Sequence, residues 1–194
     1  MEPLKLDPPT TALIVIDLQR GIMGRPVEPH SAPAVLARAV QLAEACRAGR
    51  GLVVLVRVTP SPDGKDRLTP RSDQPLAAAG PLPPDYAELA PELGPKPGDL
   101  VITKRQWGAF YGTELDLQLR RRKIGTLIFA GIATNYGIES TARDAYERGY
   151  EQVFAEDAMS AIGSGAHQFA VTTIFPRLGL VRKTDEVLAA LKRS

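Results

Sequence analysis

The sequence predicts an α/β fold built around a parallel sheet. Three observations lead there. Short apolar runs alternate with amphipathic stretches along the chain, which is the pattern of βαβ units. The runs are apolar throughout instead of alternating, as expected of strands covered on both faces. The length of 194 residues, with 44% hydrophobic residues and a single cysteine, suits one domain spanning residues 1–194 that buries its core without disulfide or metal staples.

Each element can be justified in order. Residues 12–16, Ala-Leu-Ile-Val-Ile, form the first predicted strand. Ser31 is a good helix N-cap and Pro33 is tolerated in the first turn, so a helix is predicted to about Ala48, ended by Gly49. Its apolar stripe runs through Leu36, Ala39, Val40, Ala43 and Cys46. Residues 52–58 repeat the strand pattern. Residues 59–98 hold ten of the seventeen prolines, which forbids long helices or central strands there. This long connection would leave the carboxyl edge of the sheet, and it is read as an insertion forming the rim of a pocket, with a passive surface excursion or subunit contact as the alternative. A third strand is predicted at 99–103, then a helix from Thr113 and Glu114 to the cluster Arg120, Arg121, Arg122 and Lys123, whose cations complement the helix dipole. Residues 126–130 give a fourth strand. A helix is predicted from Asn135 to Arg148, with Glu139, Arg143 and Glu147 as an i, i+4 charge ladder and Gly149 as its stop. Strands at 152–155 and 180–182 and helices at 166–175 and 185–192 complete the chain.

Composition excludes several classes of function. The formal charge of +2 comes from 24 basic and 22 acidic residues, which gives no footprint for nucleic acid or an anionic membrane. No run approaches the length of a membrane span. The start, Met-Glu-Pro-Leu-Lys-Leu-Asp, lacks the cationic and apolar parts of a signal peptide, so a cytoplasmic location is expected. The two histidines, His30 and His167, stand isolated in sequence. They are too few for an ordinary zinc site or a histidine-based relay, and no metal or cofactor is expected. Asp144 and Asp157 read as structural hydrogen-bonders.

In an open α/β sheet ligands lie beyond the carboxyl ends of the strands, so the polar residues directly after each apolar run are the candidates. Asp17 follows the first run and Lys104 follows Leu-Val-Ile-Thr. Residues 131–137, Gly-Ile-Ala-Thr-Asn-Tyr-Gly, follow the fourth strand and open a helix, whose N–H groups suit an anion. Each has a plainer reading. Asp17 can cap a loop or pair with Arg20, Lys104 can be solvated, and the glycine-flanked segment can be an ordinary tight turn.

Together, Thr11-Ala-Leu-Ile-Val-Ile-Asp17-Leu-Gln-Arg20, Thr103-Lys104-Arg-Gln-Trp-Gly-Ala-Phe110 and Gly131-Ile-Ala-Thr-Asn-Tyr-Gly137-Ile-Glu-Ser-Thr141 resemble the signature blocks of the isochorismatase-like hydrolases. The resemblance is collinear from about residue 10 to 183 and weakest in the Pro-rich middle. It implies a three-layer αβα fold with a six-stranded parallel sheet, and the homo-oligomer that such proteins commonly form, to which the apolar helix at 166–175 and Phe175 would contribute. Most of the superfamily uses an Asp, a Lys and a nucleophilic Cys. Asp17 and Lys104 match the first two, but the cysteine position falls on Gly137. Cys46 lies on a core stripe and cannot replace it, and Ser140 and Thr141 have no histidine to activate them, which removes the acyl-enzyme route.

The isochorismatases proper, which cleave a vinyl ether to release pyruvate, also resemble this chain in having Gly there. Their chemistry implies Asp17 as general acid, Lys104 on the substrate carboxylate and the N–H groups of Ala133 and Gly137 as an anion site, with a cis peptide at Ile132–Ala133. An acidic Asp17 needs burial to raise its pKa, against the opposing charge of Lys104. Trp107, Phe110, Tyr111 and Tyr136 are candidates to line a pocket for a small-molecule substrate, though core packing explains some of them equally well. The chain departs from isochorismatases at Ala133, where they carry an aromatic residue, and Arg57, Arg67 and Arg71 are unaligned candidates for their carboxylate clamp. The alternatives are another small-molecule hydrolase using Asp17-activated water, and a non-catalytic binder or oligomeric scaffold.

Overall fold

The computed structural model describes residues 4–74 and 82–192. Its centre is a six-stranded sheet of β1 (Thr11–Ile16), β2 (Leu52–Val58), β3 (Leu100–Lys104), β4 (Thr126–Ile132), β5 (Glu151–Ser160) and β6 (Leu180–Arg182). The spatial order is β3-β2-β1-β4-β5-β6, and every pairing is parallel. The chain builds outward from β1 in one direction and from β4 in the other, so the order reverses between these two strands. Such a reversal opens a crevice at their carboxyl ends.

The helices are α1 (Arg20–Met23), α2 (Ala32–Ala48), α3 (Leu115–Arg121), α4 (Glu139–Glu147), α5 (Ala166–Phe169), α6 (Phe175–Leu178) and α7 (Thr184–Lys192). Alternate strand residues serve two cores, which is why β1 is buried along its whole length. Leu13, Val15, Val53, Leu55, Ile128 and Val153 pack with Val35, Ala39, Leu42 and Cys46 of α2 and Val187 and Leu191 of α7. Ile14, Ile16, Val54, Val56, Leu127, Phe129 and Phe154 face the other way, toward Leu115 and Leu119 of α3, Ala142 and Ala145 of α4, and Phe175. These are the three layers.

Several expected boundaries move. Asp99 is not in β3 but accepts from Arg47 on α2, with Nη2 to Oδ2 at 2.7 Å. The strand β4 runs on through Gly131 and Ile132, and β5 spans Glu151–Ser160. Glycine at 131 is obligatory for this continuation: its φ is +125°, and a Cβ there would lie 2.1 Å from the Ile16 carbonyl oxygen. After β4 the helix opens with a π-type turn over Thr134–Ile138 before α4 proper. A second such turn, Ala170–Ile174, joins α5 to α6 and carries the helical segment past the expected end at residue 175.

Phe175 was expected at an oligomer contact and is corrected: it is fully buried in the chain's own core, stacked on Phe154 at a centroid separation of 4.1 Å. Phe169, one turn and a half earlier, is the aromatic of that segment exposed to solvent, at 59%. Within the Pro-rich connection, Pro75 and Pro81 lie outside the described residues. The described parts are turns and extended chain without a helix, as the prolines require. No helix of the described residues is long and apolar enough to cross a membrane.

Phe154 also stacks on Phe129 at 5.4 Å, so three rings bridge two central strands and α6. Phe154→Ala should therefore cost about 3–5 kcal/mol of stability in urea denaturation. A loss below about 1 kcal/mol would show that the stack can collapse around the cavity.

Candidate active site

The carboxyl ends of β1, β3 and β4 bring together the residues that the sequence placed after each apolar run. Asp17 follows β1 directly, with a positive φ of 52° that aims its side chain away from the ladder direction. Its backbone is held on both sides. The Asp17 N–H donates to Val56 O at 2.9 Å, and its carbonyl accepts from Gln19 N at 2.8 Å. Lys104 closes β3 on the sheet edge, and its stem passes through the interior so that only 1% of the residue is exposed. The Lys104 Nζ donates to Asp17 Oδ2 at 2.7 Å and to Trp107 O at 2.7 Å.

This pair is poised unusually. Asp17 is 6% exposed, and its second oxygen, Oδ1, has no hydrogen-bond partner. Burial pushes the Asp17 carboxyl up to about 6, and the Lys104 charge and hydrogen bond offset only part of that rise. Desolvation wins the competition that sequence alone leaves open. A carboxyl in that range exchanges its proton near neutral pH, as a general acid or base must.

Gly137 completes the cluster. A Cβ built on it would lie 3.2 Å from Asp17 Oδ2, 3.4 Å from Lys104 Nζ and 2.8 Å from Ile16 Cγ2. A side chain at 137 would thus press on both the carboxylate and the ammonium, and Ile16 would have to give way to it. The Ile132–Ala133 peptide is cis. Ala133 is the N-cap of the helix that follows and has no side chain to offer its first N–H groups. Thr141 is engaged elsewhere: its hydroxyl donates to Gly137 O at 2.6 Å and accepts from Ala109 N at 3.1 Å. Ser140 faces Gly108, whose Cβ position is 3.0 Å from the serine Oγ. Cys46 is buried on α2 in the opposite core layer, donates to Leu52 O, and is pushed up to about 11 by burial.

The plainer reading of Asp17 as a partner of Arg20 does not hold, because Arg20 pairs with Asp85 at 3.3 Å and Glu88 at 3.2 Å. Of the aromatic candidates, Trp107 and Tyr136 meet each other with centroids 4.9 Å apart, and Trp107 is 54% exposed. Trp107 also touches the charged pair through its backbone carbonyl, which accepts from Lys104 Nζ. Tyr111 is exposed at the surface. Phe110 is corrected. Its ring is buried and stacks on Tyr150, which precedes β5 at the amino edge of the sheet, so it belongs to the core and not to a pocket at the carboxyl edge. Arg57 donates to Thr103 Oγ1 at 3.0 Å, between neighbouring strands. Asp144 pairs with Arg148, and Asp157 accepts from Thr184 N and Oγ1, both structural roles.

Two features escape sequence reasoning. Gln19 is fully buried: its Oε1 accepts from Val58 N at 2.7 Å, and its Nε2 donates to Val58 O and Tyr86 O, both at 2.9 Å. It thereby ties the ends of β1 and β2 to the Pro-rich connection, whose residues 86–90 run beside residues 18–21 through the backbone hydrogen bonds Arg20 N to Glu88 O, Gly21 N to Tyr86 O and Ala90 N to Leu18 O. The only signal was its place two residues after the strand-end aspartate. The second feature overturns the isolation of the histidines. His30, Glu156 and His167 converge, with one ligand-capable atom from each within 4.8 Å of the others. His167 is buried inside the chain.

The profile of the Isochorismatase domain matches residues 11–186. The isochorismatase family protein YwoC of Bacillus subtilis is 46% identical over 193 residues, covering 99% of this chain and all of that protein. The ureidoacrylate amidohydrolase RutB of Methylorubrum extorquens is 35% identical, with 86% of this chain and 76% of that protein covered. A solved structure of an isochorismatase family protein from Burkholderia thailandensis superposes with a TM-score of 0.91 at 46% identity, covering 98% of this chain and 100% of that one.

The geometry around residue 137 makes a direct prediction. In Gly137→Cys the new thiol should be acidified by Lys104 and alkylated by iodoacetamide at neutral pH at least about tenfold faster than Cys46, read by mass spectrometry of the native protein. Equal rates at the two thiols would separate residue 137 from the charged pair.

Proposed function

The chain belongs to the isochorismatase family of hydrolases, and on that premise we propose that it hydrolyses a small carboxylate-bearing substrate, most concretely an enol ether of the isochorismate type, with Asp17 as the acid/base. The observation that carries this reading is the Asp17 carboxyl, buried, pushed up to about 6 and with Oδ1 unpartnered, beside a residue 137 that offers no nucleophile.

In such a reaction protonated Asp17 delivers its proton to the terminal vinyl carbon. The positive charge formed at the ether carbon is captured by water, which returns a proton to the Asp17 carboxylate. The resulting hemiketal breaks its carbon–oxygen bond, and the leaving alcohol takes the hemiketal proton, giving pyruvate. No covalent intermediate with the protein is needed. Lys104 would bind the substrate carboxylate, relaxing its hold on Asp17 and leaving that group free to keep its proton. The helix opening after Ala133, with the N–H of Gly137, would supply positive potential for the substrate carboxylate and for the Asp17 carboxylate that proton transfer leaves. Trp107 and Tyr136 are the pocket aromatics this reading keeps. The described parts of the Pro-rich connection support its role as a rim: Thr59 N donates to Lys104 O, Arg105 pairs with Asp66, and residues 86–90 line the chain just past Asp17.

A second reading, amide hydrolysis, is favoured by the similarity to a ureidoacrylate amidohydrolase. It would have to proceed by water activated directly on Asp17, since among the described residues no thiol lies near Lys104.

Pyruvate release from isochorismate tests the proposal. Turnover is expected for the wild type, with Asp17→Asn slower by about 10²–10⁴-fold. Because the acid must enter protonated, kcat/KM should fall as pH rises through about 6. Absence of turnover above background would overturn the vinyl-ether reading, and ammonia released from ureidoacrylate in the same preparation would establish the second one.

A further inference from the structure

We propose that His30, Glu156 and His167 form a binding site for one divalent transition-metal ion, held by two imidazole nitrogens and one carboxylate oxygen. The three residues come from separate segments that the fold forces together. His30 precedes α2, and its backbone is fixed to the end of β5: His30 N donates to Ser160 Oγ at 2.9 Å and the same hydroxyl donates to His30 O at 2.6 Å. Glu156 sits in an irregularity of β5. Between the Phe129–Phe154 and Gly131–Met159 partners, β4 has a single residue where β5 has residues 155–158. The surplus lifts Glu156 out of the ladder toward the histidines, the kind of re-aiming that bulges perform. His167 lies in α5, packed against the turn after β4.

The arrangement has the parts that metal coordination requires. His167 Nδ1 is 3.0 Å from Thr134 Oγ1, and His167 Nε2 is 3.6 Å from Glu156 Oε2. With Nδ1 protonated and donating to the buried threonine, Nε2 keeps its lone pair directed at Glu156. This is the outer-shell orientation that metal-binding histidines use. Two ligands on a tetrahedral ion stand about 3.3 Å apart, so the His167–Glu156 pair is already close to that spacing. The half-exposed His30 ring lies edge-on to His167 with centroids 6.1 Å apart, and one of its nitrogens is within 4.8 Å of the other two ligand atoms. Burial lowers both imidazoles from their ordinary range, which keeps them neutral and able to coordinate.

The charges leave room for a cation. Lys183 pairs with Glu156 Oε1, so an ion would take Oε2. Arg38 is drawn off by Asp157, through Nε to Oδ2 at 3.4 Å and Nη1 to the Asp157 carbonyl. Two nitrogens and one oxygen select Zn(II), Co(II), Ni(II) or Cu(II) over magnesium or calcium, which want oxygen ligands throughout. Three protein ligands leave a fourth position for water or a small ligand. Bound there, the ion would tie the entry to α2, the β5 irregularity and α5 to Thr134, next to the Ala133 turn.

The test uses the full chain stripped with a chelator and titrated with Co(II) and Zn(II). Expected are one equivalent of Co(II) with visible d–d absorption, displacement by Zn(II), and a melting temperature that rises with Zn(II) concentration. His30→Ala and Glu156→Gln, whose metal-free melting temperatures report their folding separately, should both lose the absorption and the thermal shift. Thr134→Val should bind about 10–100-fold more weakly. Failure of the wild type to take up one equivalent, or uptake by His30→Ala equal to the wild type, would overturn the proposal.

Discussion

The contact between Lys104 and Asp17 organises the molecule. It joins the edge strand β3 to the central strand β1, across β2, and both groups are almost wholly removed from water. Burying two opposite charges is not a cheap way to gain stability, since the cost of leaving water rivals their attraction. Here the cost is visible in the carboxyl itself, which sits well above its ordinary range even with an ammonium at 2.7 Å. Much of the local structure serves to hold this arrangement. The positive φ of Asp17, the bonds of Gln19 to β2 and the close passage of Gly131 over Ile16 all lie within a few residues of it.

What could be read from sequence follows the reach of each signal. The alternation of apolar runs and amphipathic stretches was enough for the six strands, because the central runs β1, β2, β4 and β5 are largely buried on both faces and so lack a period of their own. Asp17, Lys104 and the glycine-flanked turn were legible for a topological reason: the residue after a central parallel strand has to emerge at the carboxyl edge. Boundaries were less legible where a strand ends in residues that normally break one. Gly131 looked like the start of a turn, yet its place opposite Ile16 makes it the continuation of β4. Phe110 and Phe175 were ambiguous because an aromatic residue in a helix or loop carries no mark of which layer it will fill. The convergence of residues 30, 156 and 167 was invisible, since it depends on an irregularity in β5 that no local pattern announces.

Gly137 connects the fold to the chemistry. Sequence resemblance singled it out as an absence, the place where a cysteine was expected. In the structure its Cα faces Ile16, Asp17 and Lys104 so closely that a Cβ would meet them at 2.8, 3.2 and 3.4 Å. Any side chain at this position would therefore alter the surroundings of both charged groups at once.

The prolines, first read as an exclusion of helices and central strands, carry a further consequence for the site. The stretch that runs beside residues 18–21 is bracketed by Pro83, Pro84, Pro91, Pro95 and Pro97. Each ring removes freedom from the unfolded chain, so less entropy is lost when this stretch takes up its place. A long connection between two strands would ordinarily be costly to hold in one shape, because every ordered residue surrenders conformational freedom. Proline shifts that loss to the time of synthesis, before folding begins. The stretch beside residues 18–21 can therefore stay in position with few hydrogen bonds of its own, and, among the described residues, with no helix or strand to stiffen it.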